Sequence, residues 1–146
     1  MSDSSTETDN SEEIAKLKKQ KKEWQKKLAS YKSKKSDLKD SKSEYKIFRT
    51  KVVNAKEKVI TAKSNVNNAK TTFSSAYVSD TATKKTKEIS GYITDIATAK
   101  SNLDSIITAI DTKISSIDES ISSAETNIST AEAKIKSIEK KIKALS

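Results

Sequence analysis

Apolar residues in the second half of the chain recur in alternating steps of three and four. They run Ile93, Ile96, Lys100, Leu103, Ile107, Ile110, Ile114, Ile117, Ile121, Ala124, Ile128, Ala131, Ile135, Ile138, Ile142 and Leu145. A repeat of seven with two apolar places keeps one stripe on one face of a helix, and these are the a and d places of a coiled coil. Beside the stripe, at e, stand Asp104, Asp111, Asp118, Glu125, Glu132 and Glu139, each seven residues from the next. The first half repeats the spacing more weakly: Ile14, Leu17, Lys21, Trp24, Leu28, Tyr31, Lys35, Leu38, Lys42 and Tyr45 include three lysines. After Tyr45 the next step is again three, to Phe48, and Val52, Ala55, Val59, Ala62, Val66, Ala69, Phe73 and Ala76 follow in a new phase. Two consecutive threes make a stammer, so the pattern predicts an overwound or broken stretch near residues 42–48. Residues 77–85 carry neither phase, and Ser79 or Asp80 is placed to cap a following helix.

The expected fold is all-α, a long antiparallel two-helix coiled-coil hairpin. Helix 1 is expected at about 11–76, the turn at 77–82 and helix 2 at about 83–145, each helix roughly 95 to 100 Å long at 1.5 Å per residue. Residues 1–10 read as a disordered acidic tail, and Asn10 with Glu13 has the spacing of a capping box. Pairing a with d across the hairpin sets Ile14 against Leu145, Trp24 against Ile135 and Leu28 against Ala131. Past the stammer the expected register shifts, setting Val52 against Ile110, Val59 against Leu103 and Phe73 against Ile89, which centres the turn near Thr81. Composition agrees with long helices, for the chain has no proline, a single glycine, and 34% charged residues.

The acid row has a use within such a hairpin. In the expected register Lys18 falls opposite Glu139, Lys32 opposite Glu125, Lys39 opposite Asp118, Lys46 opposite Asp111 and Lys56 opposite Asp104, with Gln25 opposite Glu132 the one exception. Exposed pairs of this kind add little stability and act mainly by excluding wrong registers. A metal array is the competing reading. Carboxylates seven apart on a helix are roughly 10 Å apart, too far to share an ion with ligands at about 2.0 to 2.6 Å.

The net charge of +9 is unevenly spread. Lys27, Lys34, Lys51, Lys58, Lys113, Lys134 and Lys141 fall on the g edge of the expected register with no acid among them, and further lysines crowd the open end of the hairpin. An anionic polymer, nucleic acid or a cell-surface polymer, is one partner such an edge can take. Nucleic acid is disfavoured, because Arg49 is the single arginine and stacking aromatics are few. Near the turn a different surface forms. Val53, Ile60, Tyr77, Val78, Tyr92 and Ile106 lie outside the seam among serine, threonine and asparagine, and mark a contact for a protein partner or a second copy. Gly91, inside a helix, costs about 1 kcal/mol and hints at a close approach or a bend there. Trp24, at d, reads as core.

Chemistry has little to work with. The sequence has no histidine and no cysteine, and it offers no glycine-rich phosphate loop, so neither catalytic residues, nor a metal, nor a cofactor are expected. The polar start is neither a signal peptide nor a membrane span, so the expected location is the cytoplasm, or beyond it by a route without a cleavable signal. Three function classes stay open: a helical adaptor, a basic coiled coil that binds an anionic polymer, and a self-assembling structural hairpin.

One resemblance bears on the choice. The lysine-rich first helix, the Ser/Thr-rich turn region, and a closing helix with Tyr92 and then Leu103-Asp-Ser-Ile-Ile-Thr-Ala-Ile-Asp-Thr-Lys-Ile-Ser-Ser-Ile resemble the YwqH-like small helical proteins of Gram-positive bacteria. Those are encoded with LXG polymorphic toxins and are related in shape to the WXG substrates of type VII secretion. The resemblance covers most of residues 12–145. It implies a targeting or chaperone partner that binds the helical N-terminal domain of a toxin, alongside a second small helical protein. Two departures stand out: Ile89-Ser90-Gly91 is the one apolar-x-Gly triplet and lies within helix 2, and neither Tyr77 nor Tyr92 is followed four residues later by an acid.

Overall fold

The computed structural model describes residues 4–146, with side chains from Asp9 onward. Two helices, α1 (Ser4–Ala76) and α2 (Asp80–Leu145), pack against each other as a helical hairpin, as the pattern predicts. The connection is shorter than expected. Only Tyr77, Val78 and Ser79 lie between the helices, and α2 begins three residues before the expected start. Ser79 caps it, its Oγ accepting from the Ala82 amide at 3.1 Å while its carbonyl accepts from the Thr83 amide at 2.9 Å. The Phe73 and Tyr77 rings close the end of α1, their centroids 5.0 Å apart.

The start of α1 also corrects the sequence reading. Residues 4–10 belong to the helix, so Asn10 and Glu13 lie inside it and no capping box forms. Residues 1–3 of the expected tail lie outside the described residues.

The chain divides into two compact units, residues 1–42 with 116–146, and residues 43–115. In the first unit Leu17, Ile117, Ala124, Ala131 and Ile138 are buried, Ala131 completely. The half-buried places on its α1 segment include Ile14, Lys21, Trp24, Leu28, Tyr31, Lys35, Leu38 and Lys42, the a and d places read from the sequence. In the turn-proximal unit Val52, Ala82 and Ile110 are buried. Its half-buried places on α1 continue through Tyr45, Arg49, Lys56, Val59, Lys63, Val66, Lys70 and Phe73.

These places keep one phase. The steps of three and four never slip, α1 runs through residues 42–48 without a break, and no stammer is used. Phe48, Ala55, Ala62, Ala69 and Ala76, expected in the seam, are all exposed. Two columns compete for the seam, and the basic one wins. Alanines bury a single methyl each, worth about 0.8 kcal/mol, which is little return for overwinding a helix. Arginine and lysine cover the seam with their methylene stems and carry their charge out to the edge. The valines at 52, 59 and 66 serve the core in either phase.

Serine and threonine are frequent in α2, yet the helix is continuous. Their hydroxyls donate to the carbonyl four residues back, as in the run Thr86 to Ala82, Ser90 to Thr86, Thr94 to Ser90 and Thr98 to Thr94. Bonding inward satisfies these groups without recruiting the backbone into turns. No described helix is long and apolar enough to cross a membrane.

Candidate functional site

Ion pairs fix which edges of the two helices face each other. In the first unit Lys21 pairs with Glu139 at 2.8 Å, Lys35 with Glu125 at 2.8 Å, Lys42 with Asp118 at 2.5 Å and Lys32 with Glu132 at 3.1 Å. In the turn-proximal unit Arg49 grips Asp111 with two bonds, Nε to Oδ1 at 2.6 Å and Nη2 to Oδ2 at 3.2 Å, and Lys56 pairs with Asp104. Lys56 with Asp104 is the one pair placed as expected. Elsewhere the acids take the seam cations Lys21, Lys35, Lys42 and Arg49 in place of the e-edge lysines Lys18, Lys32, Lys39 and Lys46. Lys32 reaches Glu132, and Lys39 lies near enough to Glu125 to favour its charged form. Lys18 and Lys46 are exposed.

The reason is reach. Side chains at a are held against the partner helix, and Lys21, Lys35, Lys42 and Lys56 are only 27 to 30% exposed, so their ammonium groups emerge beside the acid row. Within each unit a step of seven along α1 is matched by a step of seven back along α2, as from Lys35–Glu125 to Lys42–Asp118 and from Arg49–Asp111 to Lys56–Asp104. Hydrogen bonds from Lys56, Arg49 and Lys35 hold the carboxyls of Asp104, Asp111 and Glu125 below the ordinary carboxylate range. The Asp111 bond raises Arg49 in turn.

With the e edge occupied by this zipper, the g edge is left open. In the first unit it is basic and polar, carrying Lys27, Lys34, Lys134 and Lys141, all exposed. Lys27 lies 4.5 Å above the Trp24 ring, a cation placed over an aromatic face. The expected basic edge of seven lysines does not exist as one row. With the phase unbroken Lys51 and Lys58 move to the outer c face of α1, while Lys113 keeps a g place on α2.

In the turn-proximal unit the g edge is apolar apart from Lys113. Phe48, Ala55, Ala62 and Ala69 stand at g on α1, and Tyr92, Ala99 and Ile106 at g on α2, all exposed. Phe48 and Tyr92 leave 51% and 59% of their surface open. Large residues stand toward the ends of this strip with alanines between them, repeating every seven residues or roughly 10 Å.

The residues read from the sequence as a partner surface divide between this edge and others. Tyr92 and Ile106 lie on it, Tyr77 and Val78 are exposed in the turn, and Val78 is 98% open. Ile60 and half-buried Val53 belong to the opposite e edge. Gly91 lies on the outer face of α2, where an added Cβ meets nothing within 4 Å, so no close approach within the chain requires it. Ile47 and Phe48 were missed, both exposed, because the stammer put Phe48 in the seam. The signal that finds them is the row Lys21, Leu28, Lys35, Lys42, Arg49, Lys56, Lys63 and Lys70, basic at every seventh place but one.

Among the described residues no three acidic side chains are placed to share a metal ion. No family model, curated protein or solved structure matches the chain.

Proposed function

We propose that this protein is a non-enzymatic helical adaptor whose turn-proximal unit receives a helix of another protein in its apolar g groove. The observation that carries the reading is the g edge of that unit, where Phe48, Tyr92 and Ile106 stand exposed with alanines between them. Scattered exposed apolar residues are ordinary, whereas a row with heptad spacing matches what a further helix needs. Alanines in the middle of the groove let a helix backbone come close, and Phe48 and Tyr92 supply the area that anchors it. The resemblance to YwqH-like proteins supplies a class for the partner, the helical N-terminal domain of an LXG toxin bound for type VII secretion.

The test is co-expression with the products of adjacent genes, followed by purification and mass measurement by light scattering. A defined heteromeric complex is expected, and Ala62→Glu, which puts a charge in the floor of the groove, is expected to dissociate it while leaving the helix content unchanged. A chain that stays monomeric with every encoded neighbour, or a complex indifferent to Ala62→Glu, overturns the proposal.

A further inference from the structure

The ion-pair zipper stops before the turn on one helix only. Cations continue along α1 at Lys63 and Lys70, both half-buried at a places of the same phase as Lys56. The acid row does not continue: seven and fourteen residues before Asp104 stand Ala97 and Ser90, also half-buried. Ser90 spends its hydroxyl on the Thr86 carbonyl. By the pattern of Lys56, Arg49 and Lys42, their ammonium groups belong to an edge where small side chains replace the carboxylates that serve every other cation of the row.

The gap lacks bulk as well as charge, since alanine and serine are smaller than aspartate. Ala97 and Ser90 leave room at the edge that Asp104 and Asp111 fill further along, and exposed Ile60 lies at an e place beside it. An approaching anionic group meets cations that are already oriented, since the seam holds their stems. Spacing selects the kind of ligand. Two cations seven residues apart on a helix match two carboxylates seven apart on another helix, and Ile60 offers that helix an apolar contact.

We infer that the e edge of the turn-proximal unit receives an acidic α-helix, two of whose carboxylates, seven residues apart, take the places left by Ala97 and Ser90 and pair with Lys63 and Lys70. This site lies on the edge opposite the apolar g groove, and its test leaves that groove untouched, so either can fail without the other. The net charge of +9 steers an acidic segment toward the chain, and the interrupted row gives it a register.

The experiment uses the full chain and two labelled synthetic 28-residue helical peptides of identical composition. One carries glutamate at every seventh residue with leucine alongside, and the other has its glutamates spread around the helix. Fluorescence anisotropy near physiological salt is expected to give at least tenfold tighter binding of the heptad peptide. Ala97→Asp with Ser90→Asp, which completes the row within the chain, is expected to remove that preference and raise the unfolding midpoint. Lys63→Gln with Lys70→Gln is expected to remove it without that stabilisation, which keeps the test open if the first variant fails to fold. No binding, equal binding of both peptides, or a preference that survives in the folded variants overturns the inference. Displacement of both peptides alike by heparin assigns the edge to polyanions in general and overturns it too.

Discussion

Replacing Phe48 and Val52 separately with alanine tests the seam at the point where two phases compete. Val52 is 7% exposed and Phe48 51% exposed, although the phenylalanine is much the larger side chain. Val52→Ala removes two methyl-sized groups from a buried site, about 1.6 kcal/mol by transfer at 0.8 kcal/mol each, and about 2 kcal/mol with the space left behind. Burying a whole phenylalanine is worth about 1.5 to 3 kcal/mol, so a half-covered ring gives Phe48→Ala a cost of about 0.8 to 1.5 kcal/mol. A stammer would bring Phe48 into the core and raise its cost to about 3 to 5 kcal/mol. Urea unfolding at 25 °C, followed by circular dichroism at 222 nm, resolves the difference. A cost for Phe48→Ala above that for Val52→Ala refutes the single-phase seam.

Three further outcomes follow from the same structure. Gly91→Ala is expected to stabilise the chain by about 0.5 to 1 kcal/mol, since the added Cβ meets nothing within 4 Å in a helix; an unchanged or lower urea midpoint contradicts this. Ser79→Ala is expected to cost about 1 kcal/mol through loss of the bond to the Ala82 amide, and Ser79→Asp to restore most of it, measured the same way. Asp104, Asp111 and Glu125 are held below the ordinary carboxylate range in the folded chain, so their pairing stabilises it above the unfolded values and is lost as pH falls through the folded ones. The thermal midpoint is therefore expected to fall below about pH 4, and more gently in a variant with Asp104→Asn, Asp111→Asn and Glu125→Gln; parallel curves refute the assignment.

Much of the fold was legible because α2 is nearly uniform. Its a and d places are isoleucine, leucine or alanine almost throughout, so one phase fits and every later position follows. α1 is ambiguous for a physical reason. Around Tyr45 the apolar column through Phe48 and Ala55 and the basic column through Arg49 and Lys56 lie one residue apart, and a rule that ranks seam residues by hydrophobicity chooses the first. Burial chooses the second, since long cationic side chains cover a seam and reach an acid while alanines cover little. That single choice set the expected turn at Thr81 and hid the apolar groove, whereas four of the five expected ion pairs failed because the seam cations reach the acids in place of the e-edge lysines. The acid row is plain at every seventh place, and the basic row that answers it stands at the same spacing.

Zero-length carbodiimide cross-linking with peptide mass spectrometry tests the register most directly, because it joins only lysines and carboxylates in contact. The zipper of seam cations predicts Lys21 linked to Glu139, Lys35 to Glu125, Lys42 to Asp118 and Lys56 to Asp104. Dominant links from Lys18 to Glu139, Lys32 to Glu125, Lys39 to Asp118 and Lys46 to Asp111 would contradict it, and with it the open edge at Lys63 and Lys70.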